Sequence, residues 1–281
     1  MNMKRMKRNI FIFTGLVICI LFSAFPSSAL AAKSLTATTP EQYILDGKSA
    51  RDMMQEADVL YKKGEFFKAR EIYQNILSSP DVGQIPRKKV KQKLESINMT
   101  ILFSRIKSDD SVTYTVKPGD SLYKIAQKHN TTIELLQKVN GIRGSIIHPG
   151  EELKIIKGTF SVFVDKSENI LVLRLNDTDL KTYDVATGKD NSTPVGTFVI
   201  ENKLVDPTWY NEGAVVPPES PENILGTRWM GFDLRGYGIH GTTIPESIGT
   251  QSTAGCIRML NREVEELYSL VPVGTKVIVV D

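Results

Sequence analysis

Cysteine and histidine are scarce in this 281-residue chain, which has two cysteines, Cys19 and Cys256, and three histidines, His129, His148 and His240. No pair of them stands at metal-ligand spacing, so no metal is expected. Long apolar runs are scarce too. The run from Ile10 to Phe25 falls short of the roughly 20 residues that a membrane-spanning helix needs. Lys4, Arg5, Lys7 and Arg8 precede it and Ala29-Leu30-Ala31 follows it; this is the pattern of a signal peptide over residues 1–31 and predicts export. Val17-Ile18 before Cys19 are bulkier than a lipoprotein cleavage site wants, so a lipid anchor is not expected. The segment carries four basic and no acidic side chains, so its removal takes the formal charge from +3 to 3 − 4 = −1. Without a basic surplus the mature chain has no electrostatic case for nucleic acid or for an anionic membrane surface. Cys256 is then the one thiol left in a protein sent where cysteines ordinarily pair. It is either a small buried hydrophobe or a functional group.

What is present has the composition of folded domains, with 41% hydrophobic and 24% charged residues, 13 prolines and 20 glycines. After a linker over 32–47, residues 48–107 carry apolar positions at helical spacing. Met53, Met54, Ala57, Leu60 and Tyr61 form one set and Phe66, Phe67, Ala69, Ile72, Tyr73, Ile76 and Leu77 a second, hinged at Gly64. Ala57, Gly64, Ala69, Tyr73 and Pro80 give this hairpin a resemblance to one tetratricopeptide repeat. A lone repeat cannot bury both faces, so a third helix over about Arg87 to Ile106 is expected to cover it. The segment is read as a spacer bundle ahead of a binding site for a protein partner.

Residues 112–157 change to strand, helix, helix, strand. Val112 to Val116 alternates, Asp120 or Ser121 can cap a helix through Leu122, Ile125 and Ala126, and Thr131 or Thr132 can cap Ile133 to Val139. Tyr114-Thr115-Val116-Lys117-Pro118-Gly119-Asp120-Ser121-Leu122, the Asn140-Gly141 turn and the Pro149-Gly150 turn resemble a LysM domain, which implies binding to glycans that contain N-acetylglucosamine, such as peptidoglycan.

From 159 to 281 the pattern is mainly β: Phe160 to Val164, Ile170 to Leu175, Leu180 to Val185, Thr197 to Ile200, Trp229 to Leu234 and Lys276 to Val280 are short runs between turn residues. One helix is expected near the end, with Asn261 as its cap ahead of Val264, Leu267 and Tyr268. Asp206 to Asn223, with four prolines and Trp209-Tyr210, reads as a long irregular loop and a candidate wall of a cleft. The expected fold is multidomain: a small all-α hairpin bundle, a βααβ module, and a mainly-β, β-sandwich-like catalytic domain with one helix towards the C-terminus.

His129 and His148 fall in the LysM-like segment, which leaves His240 as the one imidazole beside Cys256 in the last domain. A nucleophilic thiol needs an adjacent base or positive charge, and His240 can supply one. Tyr237-Gly238-Ile239-His240-Gly241-Thr242 and Ser252-Thr253-Ala254-Gly255-Cys256-Ile257-Arg258-Met259 are both small-residue turns. Gly255 would let a carbonyl approach the sulfur, and backbone N–H groups near Cys256 could form an oxyanion hole. Gly236-Tyr237-Gly238-Ile239-His240-Gly241 satisfies G-x-G-x-x-G, but Thr242-Thr243-Ile244-Pro245 follows in place of a helix, so a nucleotide site is not expected. No cofactor is called for.

His240-Gly241-Thr242 followed by Thr253-x-Gly255-Cys256-Ile257-Arg258 resembles the signature of the L,D-transpeptidase (YkuD-type) catalytic domain, and Thr193-Pro194-Val195-Gly196-Thr197-Phe198 is similar to a further stretch of that family. The likeness spans about 160–281. It implies Cys256 as nucleophile, His240 as base and later acid, and the Gly241 carbonyl as the group that orients the imidazole. Thr253, Gly255 and Arg258 would serve substrate binding, with Arg258 either meeting a substrate carboxylate or supporting the catalytic loop. Ala254 stands where many members have a second histidine. The resemblance further implies 3-3 cross-linking of peptidoglycan stems through a thioester, acylation by carbapenems, and an exported, wall-associated location. An L,D-carboxypeptidase on the same thiol and a non-catalytic wall-binding protein are the alternatives.

Overall fold

The computed structural model describes residues 49–79, 86–211 and 213–281. The expected signal peptide and the linker that follows it lie outside the described residues. Among the described residues no helix is long and apolar enough to cross a membrane.

Helix α1 (Ala50–Lys62) starts in a capping box, where Ser49 Oγ accepts from Asp52 N and the Asp52 carboxylate accepts from Ser49 N. Gly64, at φ +79°, turns the chain into α2 (Phe66–Ser78). The third helix is present as α3 (Arg87–Phe103), and its Val90, Ile97 and Ile101 close a core with Ala57, Ala69, Ile72, Tyr73 and Ile76. Asn98 Nδ2 donates to Asp179 O at 3.1 Å, and Glu95 Oε1 accepts from Thr182 N at 3.1 Å, so α3 lies along the edge strand β5 (Thr178–Asp184) of the last domain. A covered edge has fewer free backbone groups to offer another chain.

The second module is β1 (Ser111–Thr115), α4 (Leu122–Lys128), α5 (Ile133–Asn140) and β2 (Glu152–Ile156). Its two strands pair antiparallel from Ser111↔Ile156 to Thr115↔Glu152. Ser121 caps α4 and Thr132 caps α5, whereas Asp120 accepts from Lys117 N and Tyr114 Oη and so shapes the turn before α4. Gly141 ends α5 in the left-handed region.

The last domain is built on one eight-stranded mixed sheet, in the order β13 (Ile257–Arg258), β11 (Gly238–His240), β10 (Arg228–Phe232), β7 (Gly196–Val205), β14 (Lys276–Val280), β3 (Phe160–Asp165), β4 (Ile170–Leu175), β5. β7 pairs with β14 over its first residues and with β10 over its last, so the sheet curls along this one strand. Two stacked sheets were expected; the length of β7 is what joins them. Helix α6 (Asn261–Leu270) packs Val264, Leu267 and Leu270 on the sheet. Its N-cap is Leu260, not Asn261. Asn261 is the first helical residue, and its Oδ1 accepts from Thr242 N at 2.9 Å and Thr227 N at 3.2 Å, tying the helix to the loops around β10 and β11. The stretch from 206 to 223 is not irregular throughout: β8 (Trp209–Asn211) and β9 (Ala214–Val216) form a hairpin. The buried Asn223 amide anchors it by donating to the carbonyls of Pro207, Val216 and Pro217.

The three modules share one core. Leu102 of α3, Leu135 and Val139 of α5 and Ile156 of β2 cluster with the buried strands of the last domain. Polar contacts follow the same path. Thr132 Oγ1 donates to Ser269 O in α6, Lys138 Nζ donates to Ser269 Oγ at 2.7 Å, and Arg105 donates to Asn140 O. The buried Lys154 of β2 donates to the α3 carbonyl of Ile101 at 2.8 Å and to that of Ser104, just past the helix, at 2.9 Å. These are the carbonyls a helix end leaves unpaired, and a cation is the favoured partner there.

Candidate active site

Two short buried strands bring the expected pair together. β11 and β13 run parallel, with His240 opposite Arg258 and Ile239 opposite Ile257. Side chains alternate along a strand, so Cys256, immediately before β13, lies on the same face as His240, diagonally across from it. The opposite face carries Ile239 and Ile257 into the core.

The imidazole is almost wholly buried. His240 Nδ1 lies 2.7 Å from Gly241 O. A carbonyl can only accept, so Nδ1 carries the proton and Nε2 is left with a free lone pair. Burial pushes the ring down to about 4, against the pull of the Gly241 and Leu225 carbonyls and with a smaller push from the Arg258 charge. It is neutral at pH 7 and able to take a proton.

The Cys256 thiol is half-buried and donates to Gly236 O at 3.4 Å, not to His240. Burial pushes it up, while the Gly238 N–H and the Arg258 charge favour the thiolate. The resting pair is therefore a neutral thiol beside a neutral imidazole, and a proton has to move when the sulfur attacks. Unligated sites commonly hold such contacts long, and they tighten when substrate arrives.

Thr253, Gly255 and Arg258, expected to serve substrate binding, all lie within three residues of Cys256. Thr253 is buried, and its Oγ1 donates to Cys256 O at 2.6 Å and accepts from Gly255 N at 3.1 Å, closing the turn that presents the sulfur. Gly255 has φ +129°, and a Cβ there would come within 2.7 Å of the Tyr237 ring. Glycine is favoured at this position by the backbone conformation and by the aromatic ring against it. Arg258 is buried with Nη1 donating to Ser247 Oγ at 3.0 Å, while its Nε has no partner among the described residues.

Sequence reasoning missed Trp229 and Asn202. Trp229 lies opposite His240 across β10 and β11, with ring centroids 6.0 Å apart and planes at 22°. Its Nε1 donates to Asn202 Oδ1 at 3.1 Å. The only signal in the sequence was an aromatic residue in a strand, and the strand pairing that matters spans a connection no motif records. Among the described residues, no three His, Cys, Asp or Glu side chains are grouped so as to hold a metal.

The family model of the L,D-transpeptidase catalytic domain (YkuD) matches residues 159–279, and that of the LysM domain matches residues 114–155. A Bacillus licheniformis protein that bears the L,D-transpeptidase name YkuD is 39% identical over 173 residues, which is 58% of this chain and 96% of that one. YqjB of Bacillus subtilis strain 168, also bearing an L,D-transpeptidase name, is 43% identical over 126 residues, covering 43% of this chain and 70% of the relative. The catalytic domain of an L,D-transpeptidase from E. faecium, solved by NMR, is 26% identical with a TM-score of 0.37, over 44% of this chain and 98% of that one.

Proposed function

We propose that this chain, which belongs to the L,D-transpeptidase family, cross-links peptidoglycan stems through a thioester on Cys256 while its LysM module holds the glycan. One observation carries the mechanism: the Gly241 carbonyl on His240 Nδ1 leaves Nε2 as the free base on the sheet face that also bears Cys256. As Sγ attacks the carbonyl of the L-centred third residue of a donor stem, its proton passes to Nε2. The tetrahedral intermediate collapses, the carbon–nitrogen bond breaks, and the terminal D-alanine leaves with that proton on its amine. An acceptor amine from a neighbouring stem then attacks the thioester, His240 takes its proton, and the thiol is restored as the new amide forms. The Gly238 N–H and the buried Arg258 favour negative charge at sulfur during this exchange. Such stems lie outside the cytoplasmic membrane, in keeping with the export expected from the first 31 residues.

The test is incubation of the full chain with a disaccharide that carries a tetrapeptide stem, with Cys256→Ala alongside and products followed by mass spectrometry. Loss of D-alanine with formation of dimers, abolished in Cys256→Ala, is expected. D-alanine release without dimers would make the enzyme an L,D-carboxypeptidase. No turnover with glycan binding intact would leave a wall-binding protein.

A further inference from the structure

The indole of Trp229 occupies a seat that the backbone has to leave clear. A Cβ at Gly231 would come within 2.7 Å of Trp229 Nε1, and one at Gly238 within 3.0 Å of the far edge of the ring. The ring thus lies flat across two glycines on adjacent strands. Its Nε1 is pinned by Asn202 on the third strand, β7, and its face meets the imidazole. His240 Nδ1 lies 2.7 Å from Gly241 O, and the Leu225 carbonyl also pulls on the ring. A ring that swings off these carbonyls loses the contact that selects its tautomer, and the stacked plane opposes that swing.

We infer that Trp229 is the positioning residue for the catalytic imidazole, with Asn202, Gly231 and Gly238 as its seat, so that Nε2 is aimed at the Cys256 proton in one orientation. This rests on His240 being the base in the proposed reaction. An indole face also attracts a cation, so the same contact favours the imidazolium that forms once the thiol has given up its proton. Trp229 touches neither the stem nor the sulfur in this role. It acts through His240.

The chain has three histidines, so 15N labelling of histidine gives few ring signals, and His240→Gln identifies those of His240. In the wild type at pH 7 the two His240 ring nitrogens are expected to be widely separated in chemical shift, as one fixed tautomer requires. In Trp229→Leu they should move towards each other, and turnover of the tetrapeptide-stem disaccharide should fall about tenfold with KM nearly unchanged. Trp229→Phe, which keeps an aromatic face, should retain the separated shifts and recover most of the rate. If Trp229→Leu does not fold, Asn202→Leu unpins the indole while leaving it present, and the same convergence of shifts is expected. Separated shifts and undiminished turnover in a folded Trp229→Leu or Asn202→Leu would overturn the inference. The shift measurement needs no substrate, so a wild type that fails to turn over the stem would count against the proposed function and not against the role of Trp229.

Discussion

Acidification from pH 7 to pH 5 should weaken the catalytic domain through His240 in particular. Burial holds the folded ring at about 4, against 6.5 for an ordinary imidazole. Between those values the unfolded chain binds a proton at this position that the folded chain refuses, so stability falls as pH falls. The loss begins below about 6.5, where the unfolded ring starts to charge, and levels off below about 4. At about 1.4 kcal/mol for each tenfold difference in proton affinity, the full effect is roughly 3 kcal/mol, of which about 2 kcal/mol is reached at pH 5. His129, in the second module, is lowered by burial as well and shares the sign, but it is common to the wild type and His240→Gln; the remaining groups differ in window or sign. Lys154 and Lys203, which burial lowers to about 8, are charged in both states from pH 7 down. Glu95 and Glu263, raised by burial, favour the folded state as pH falls. Substitution isolates the histidine, because His240→Gln cannot titrate. Both tryptophans, Trp209 and Trp229, lie in the catalytic domain, so urea unfolding followed by tryptophan fluorescence reports that domain. The wild type should lose about 2 kcal/mol more than His240→Gln between pH 7 and pH 5. Equal losses in the two chains would refute the reasoning, since they would mean that the ring is not kept neutral by its burial.

Because burial raises Cys256 while lowering His240, iodoacetamide should alkylate the free enzyme slowly at pH 7 and faster only as pH climbs past the ordinary thiol range; a fast rate, flat from pH 5 to 8, would indicate a preformed thiolate instead. Gly255→Ala places a methyl against the Tyr237 ring at a φ of +129° and should cost about 1–3 kcal/mol, read as a lower thermal midpoint. Lys154→Met leaves the carbonyls of Ile101 and Ser104 without their cation and should cost about 2–3 kcal/mol. Hydrogen exchange in that chain should quicken first in the last turn of α3, and unchanged protection there would argue against Lys154 as the clasp.

Much of this architecture could be read from residue pattern. The runs at Ile170 to Leu175 and Lys276 to Val280 coincide with β4 and β14 because those strands are predominantly apolar, and the Thr132 cap is a local device. β7 runs to Val205, well beyond Ile200, through the polar residues Glu201, Asn202 and Lys203. Composition there resembles a loop, and only pairing with β10 makes it a strand. The β8–β9 hairpin was hidden by its prolines, which lie beside the paired residues and not among them. At the site, His240 and Cys256 were legible because their neighbours form a motif. The Trp229 stack was not, since strand register is a property of the folded sheet. Asn261 was misread because an asparagine ahead of a helical run is the usual cap, whereas here its side chain serves two distant amides.

Three residues separate β2 from β3, and α5 is fastened to α6 through Ser269. The glycan-binding module therefore does not search on a tether, where effective concentration would depend on linker length. A sugar strand seated in it is presented at one offset and one angle from the sulfur. On the proposed function, the wall's own periodicity would then select which stems come within reach, and the span of the enzyme would be set by packing.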